Sequence, residues 1–146
     1  MFDFEGQKKK MYSTVGVIQT VHKFLGPGLN ESCYQEAMEL QLNEAAIPYR
    51  REMAFHPSYR GKTLKATFKV DFLCAEDIIV ECKAVPELSP SHRAQLFNYM
   101  RLLEKPCGIL VNFLPHFAEI QRFLYDKETK NIIATDGHII KNYRDI

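Results

Sequence analysis

The sequence predicts a mixed α/β fold in which helices cover the faces of a sheet, and three observations lead there. Two amphipathic helical stretches come first, a run of short β-rich segments follows, and a further helix separates that run from a nearly continuous apolar segment, Cys107 to Leu114. The chain has 146 residues, enough for one buried core and too few for two. One domain is therefore expected over 1–146.

Each element has its own signal. Val17, Ile18, Val21, Phe24 and Leu25 recur at helical spacing after Met11, and Gly26-Pro27-Gly28 stops that helix. Asn30 is placed to cap a second helix running to about Ala46, with Tyr34, Ala37, Met38, Gln41 and Leu42 in period and Glu31 in the first turn, where the helix dipole favours an acid. Tyr49 to Tyr59, Thr63 to Cys74 and Ile78 to Ala84 are rich in β-formers. The turns between them, Arg60-Gly61-Lys62 and Ala75-Glu76-Asp77, are short enough to join only antiparallel neighbours, so a meander is expected. Ser89-Pro90 opens a helix to about Glu104 as N-cap and first residue. Cys107 to Leu114 reads as a strand buried on both faces, central in the sheet. Glu119 to Tyr125 reads as a further strand, and Asn131 to Tyr143 as a hairpin around Thr135-Asp136-Gly137.

Composition excludes several classes. Apolar residues make 46% and charged residues 25%, ordinary globular usage that excludes a disordered or collagen-like chain. No apolar run approaches the roughly 20 residues that span a bilayer, and Met1 to Lys10 is polar, unlike a signal peptide. A cytoplasmic protein without a membrane partner is expected. The cysteines at 33, 74, 82 and 107 form no Cys-x-x-Cys pair, which disfavours structural zinc and a disulfide scaffold. The net charge of +1 excludes coating nucleic acid through the overall field. Locally, however, Arg50, Arg51, Arg60, Lys62, Lys65 and Lys69 stand against Glu52 alone.

The chemistry centres on Asp71 and on Glu81-Cys82-Lys83. Strict alternation puts Phe68, Val70, Phe72 and Cys74 on one face and Lys69, Asp71 and Leu73 on the other, with Glu81 and Lys83 sharing a face of the next strand. A three-residue turn sets Asp71 against Glu81 and Lys69 against Lys83, two like-charge oppositions that a purely structural sheet has no reason to choose; a two-residue turn would offset the acids by one place. A divalent cation between the acids would relieve one conflict, and carboxylate oxygens suit Mg²⁺ or Mn²⁺. Lys83 would stand beside it, placed to orient a water or to meet charge developing on a phosphate. The plainer reading is a solvated polar face. Against it, the strand carrying Glu81 and Lys83 is otherwise Ile, Ile, Val, Cys and Ala, and charges in buried strands are usually paired or bound to metal.

With Asp on the second strand and Glu-x-Lys on the third, the order of elements resembles the core of the PD-(D/E)XK nuclease superfamily. Gly28-Leu29-Asn30-Glu31-Ser32-Cys33-Tyr34 is similar to the Gly-x-x-Glu-x-x-Tyr signature of the GxxExxY protein family, which is assigned to that superfamily. The likeness runs from about Val15 to Tyr125 and includes Tyr59-Arg60-Gly61, Val70-Asp71-Phe72, Val80-Glu81-Cys82-Lys83-Ala84, Gln95, Asn98-Tyr99 and Gly108 to Phe113. It implies a restriction-endonuclease-like core, αβββαβ, with a mixed sheet flanked by helices; the strand-rich tail from about 130 to 146 reads as an addition to that core. It also implies Asp71 and Glu81 as metal ligands, Lys83 as the catalytic lysine, Glu31 as an accessory acid and ligand, and Gln95 as a polar residue facing the site. Val70 replaces the proline of the superfamily's name, and Cys82 stands where an apolar residue is expected.

The reading that follows is a Mg²⁺- or Mn²⁺-dependent nuclease that hydrolyses a nucleic-acid phosphodiester, with Arg50, Arg51, Arg60, Lys62 and Lys65 holding the backbone. The rival is a catalytically silent module of the same fold that binds nucleic acid or a protein partner; a homodimer is plausible for a chain this small under either reading. Simpler roles stand beside the accessory ones: Glu31 at a helix N-terminus, Gln95 at the surface, Tyr34 and Tyr99 as core aromatics, and Gly28 for its backbone angle.

Overall fold

A computed structural model describes residues 1–145; Ile146, the end of the expected tail, lies outside them. The first helix, α1 (Phe4–Leu25), starts a full two turns earlier than the apolar period suggests. Asp3 caps it, its Oδ1 accepting the Gly6 N–H at 3.1 Å, and Phe2 and Phe4 pack against the core, so the lysines at 8 to 10 ride on an anchored helix. After Gly26, Asn30 caps α2 (Glu31–Glu44) by accepting the Cys33 N–H at 3.1 Å.

Next come β1 (Tyr49–Phe55), β2 (Ser58–Tyr59), β3 (Lys62–Thr63), β4 (Phe68–Cys74) and β5 (Ile78–Lys83). Then α3 (Pro90–Leu103) leads to β6 (Cys107–Asn112), β7 (Glu119–Asp126), β8 (Asn131–Ala134) and β9 (Ile139–Asn142). The main sheet has seven strands in the order β1-β4-β5-β6-β7-β8-β9. Every neighbouring pair is antiparallel except β5 and β6, which are parallel and joined through α3. Leaving aside the small hairpin, α2, β1, β4, β5, α3 and β6 follow the αβββαβ order. β6 lies centrally and is buried throughout. Gly108 there allows α3 to approach, since a Cβ would sit 2.3 Å from Met100 Sδ.

Helices α1 and α2 cover one face of the sheet, over Phe72, Cys74, Ile78, Val80, Cys82, Ile109 and Val111. Helix α3 covers the other, over Val70, Leu73, Ile79 and Leu110. The expected meander is β1, β4 and β5, but 58–63 leave it. Pro57 has no N–H to offer a ladder, and β2 and β3 pair with each other as a separate ribbon.

A second departure bears on the site. Val70 packs on the α3 side and Phe72 on the α1/α2 side, so the strict alternation expected for β4 fails at Asp71. Its neighbour β1 changes face at the same level: Tyr49 packs with the α1/α2 core and Met53 and Phe55 with the α3 core. Between them Glu52, between the Arg51↔Phe72 and Met53↔Val70 pairs, takes φ of 51°, a conformation that non-glycine residues rarely adopt. Asp71 therefore sits where two adjacent strands turn over together.

Tyr34 fastens the head of α2. Its ring is fully buried and stacks on Phe113 with centroids 4.6 Å apart. Its hydroxyl donates to the Gly26 carbonyl at 2.6 Å and accepts the Leu29 N–H at 3.1 Å. Gly28, with φ of 85°, donates its N–H to the Leu114 carbonyl and completes the turn. Tyr34→Phe should keep the stack, lose both hydrogen bonds, and cost about 1–3 kcal/mol in urea unfolding; an unchanged midpoint would show that the turn holds without them.

Candidate active site

Strands β4 and β5 pair regularly at Cys74↔Ile78, Leu73↔Ile79 and Phe72↔Val80, the register of a three-residue turn. The ladder stops there. At the next level the Asp71 N–H donates to Glu81 Oε2 at 2.7 Å, and the Cys82 N–H donates to Asp71 Oδ2 at 2.8 Å. Each acid takes an amide from the other's strand, so two side-chain carboxyls replace the backbone carbonyls a continuing ladder would use. The expected opposition of Lys69 and Lys83 does not form, because β4 and β5 part beyond Phe72↔Val80. Lys83 Nζ instead donates to Gln95 Oε1 on α3 at 3.3 Å.

Burial and mutual repulsion dominate the electrostatics. Glu81 is only 2% exposed, and burial first, then the Asp71 charge, push its pKa up to about 8. Burial also raises Asp71, while the Cys82 amide and the Lys83 ammonium pull it down. At neutral pH burial and mutual repulsion favour one negative charge and one proton shared between the pair. Cys82 between Glu81 and Lys83 acts as a small apolar group: it is fully buried and its thiol meets Met38 Sδ at 3.6 Å.

Glu31 lies close enough for the Asp71 charge to add to burial in raising its pKa, with Lys83 opposing. It does not join the other two acids in a closed cluster. Among the described residues no three His, Cys, Asp or Glu side chains gather tightly enough to enclose an ion unaided. Glu31 Oε2 instead accepts from Gln35 Nε2 at 3.2 Å, and Gln35 Oε1 in turn accepts from Arg51 at 3.4 Å. Arg51 also binds Glu39 at 2.6 Å.

The expected basic face is divided by these contacts. Arg51 is held against α2, and Arg50 reaches Glu76 at 3.5 Å, whereas Arg60, Lys62 and Lys65 stand together and exposed on and beside the β2–β3 ribbon. Sequence reasoning missed Gln35, although its place one turn after Glu31 on the same helix face was a usable signal. It also missed Glu52, whose charge raises Asp71 from β1; no spacing rule announces a cross-strand neighbour of that kind. Tyr99, read as a core aromatic, is buried on α3, where burial first and then the nearby Glu81 and Asp71 charges raise its pKa.

The donor set fits a hard cation. Asp71 and Glu81 each give one oxygen to an amide and keep another, and Glu31 stands near, so the ligands on offer are carboxylate oxygens. A family model described as the PD-(D/E)XK nuclease superfamily matches residues 8–123. The chain belongs to that superfamily. The match runs from α1 into β7, leaving β8 and β9 beyond it. The fold is also similar to the crystal structure of SSO0001, with a TM-score of 0.52 and 19% identity over 82% of this chain. The match covers 63% of that chain's length, and at this identity it speaks for the fold alone. No curated protein shows significant similarity.

A carboxyl whose folded pKa is raised holds its proton when the unfolded chain has released it, so its contribution to stability is full below about 4.5 and is lost as pH rises through about 8. Asp71→Asn keeps an acceptor for Cys82 and removes one charge. In EDTA, the variant should gain on the wild type by about 1–3 kcal/mol between pH 5 and pH 9 in urea unfolding. A gap that stays constant with pH would contradict the shared-proton pair.

Proposed function

We propose that the protein is a metal-dependent nuclease that hydrolyses nucleic-acid phosphodiester bonds, as a single nuclease-like domain acting in the cytoplasm. One observation carries the reading. Two acids that form no ion pair with a described residue, Glu81 buried and Asp71 half-buried, exchange amides where β4 and β5 part, and Lys83, two residues on from Glu81 along the same strand, bonds Gln95. Acids brought this close repel each other in a purely structural sheet, whereas phosphoryl chemistry uses them to hold a cation.

Asp71 and Glu81 would hold Mg²⁺ or Mn²⁺, with Glu31 as a third oxygen donor. Bound there, the cation would supply a water acidified toward neutral pH and positive charge against the phosphate. The chain's own groups do the rest. Gln95 holds the Lys83 ammonium at 3.3 Å through its carbonyl oxygen, leaving the remaining Nζ hydrogens for a phosphate oxygen and for charge developing on it. Gln35 fixes the Glu31 carboxylate through one oxygen and leaves the other for the site. Glu81 is only 2% exposed, which limits water around it. Arg60, Lys62 and Lys65 supply contacts to the nucleic-acid backbone, and a second copy of the chain in a homodimer would extend that footing.

Labelled DNA and RNA incubated with Mn²⁺ test the reading. Wild type should cleave, EDTA should abolish cleavage, and Lys83→Ala should lower the rate by at least about 100-fold while its unfolding midpoint stays near wild type. Cleavage that survives Lys83→Ala unchanged would remove the lysine from the chemistry. Mn²⁺ binding without any cleavage by wild type would favour the silent module.

A further inference from the structure

Between Phe55 and Phe68 the chain leaves the main sheet, runs out as β2, turns, and returns as β3. Every residue from Ser58 to Lys69 is exposed, yet the excursion is ordered by its own bonds. Arg60 and Gly61 both take positive φ, 50° and 81°, the tight two-residue hairpin turn that matches the twist of the strands it joins. Tyr59 pairs with Lys62, Ser58 with Thr63, and the Leu64 N–H donates to the Pro57 carbonyl at 2.9 Å. At the base, His56 Nδ1 lies 3.1 Å from the Ala66 carbonyl and 3.3 Å from Thr67 Oγ1, closing the ribbon.

The ribbon is of one charge. It carries Arg60, Lys62 and Lys65, with Lys69 just past its base on β4 and no acid between Glu52 and Asp71, and none of these cations forms an ion pair with a described residue. The ribbon also springs from the site's end of the sheet: β1 ends three residues after Glu52, and β4 begins three residues before Asp71.

Building on the nuclease reading, we propose that this ribbon enters the major groove of B-form duplex DNA and that duplex DNA is the substrate class. A two-stranded ribbon fits a groove about 12 Å wide, whereas the deep, narrow major groove of A-form RNA excludes it. Arg60, foremost at the turn, reaches base edges, and Lys62 and Lys65, with Lys69 at the start of β4, meet the flanking phosphates. A single-strand platform would need a row of aromatic rings for bases to stack on. The ribbon offers Tyr59 alone, since Phe68 at its base packs with Phe55 and Tyr99.

Anisotropy of a labelled 20-base-pair DNA, the matching RNA duplex and the single strand, measured in EDTA so that turnover plays no part, tests this. Wild type should bind duplex DNA at least about tenfold more tightly than either alternative, and methyl green, a major-groove ligand, should compete where netropsin, a minor-groove ligand, does not. Lys62→Ser with Lys65→Ser should flatten the slope of log affinity against log salt by about 1.8. Lys9→Ser with Lys23→Ser, exposed on α1, should leave it unchanged, with circular dichroism confirming the fold of each. Equal affinity for the single strand or the RNA duplex, or a slope that ignores the ribbon pair, would overturn the proposal. Cleavage of DNA with such a result would overturn the ribbon and spare the nuclease reading; ribbon-dependent duplex binding without cleavage would do the reverse.

Discussion

Two carboxyl groups stand where β4 and β5 part, and each accepts an amide from the opposite strand. Asp71 takes the Cys82 N–H and Glu81 takes the Asp71 N–H, so the backbone donors are satisfied although the ladder has ended. That exchange couples the shape of the sheet to the charge state of the acids. The pair costs stability when both are ionised in so little water, and one proton is the cheapest relief available to the chain itself.

The surrounding elements keep this arrangement from relaxing. Tyr34, stacked on Phe113 and bonded to both sides of the turn at Gly26 to Leu29, fixes where α2 begins and hence where Glu31 stands. Gln35 and Arg51 continue that restraint down α2 and across to β1. On the other face, Ser89 caps α3 with His92 closing the box, which sets the register that brings Gln95 to Lys83. Strain is accepted at Glu52, where β1 turns over beside Asp71. The site is thus built from element ends held by buried aromatics and capping bonds.

Much of this was legible in the sequence. Caps at Asn30 and Ser89, the apolar run of β6 and the three-residue turn before Ile78 each obey local rules, and together they give the αβββαβ order and the correct β4–β5 register. What escaped depends on nonlocal bonds. The reversal of faces at Asp71 breaks period-two alternation because side chains replace the ladder there, and no window of sequence carries that information. The two early turns of α1 were hidden by lysines that dilute the apolar period, and the fate of Arg51 was hidden because its partner Glu39 comes from another helix. The basic stretch was visible as composition, but its shape as a closed ribbon rests on His56 and Pro57 bonding across ten or fewer residues.

Superfamily membership, fold and buried acids all converge on one end of the sheet, and the account of that end stands or falls on the protonation of Glu81. Carboxyl ¹³C NMR of metal-free protein, with the Glu81 resonance assigned by Glu81→Gln, measures it directly. The account predicts that this carboxyl titrates near pH 8 and moves back toward the ordinary carboxylate range in Asp71→Asn. Titration of Glu81 in the ordinary range in the wild type, or a shift that survives Asp71→Asn in full, would contradict the coupled pair on which the site is built.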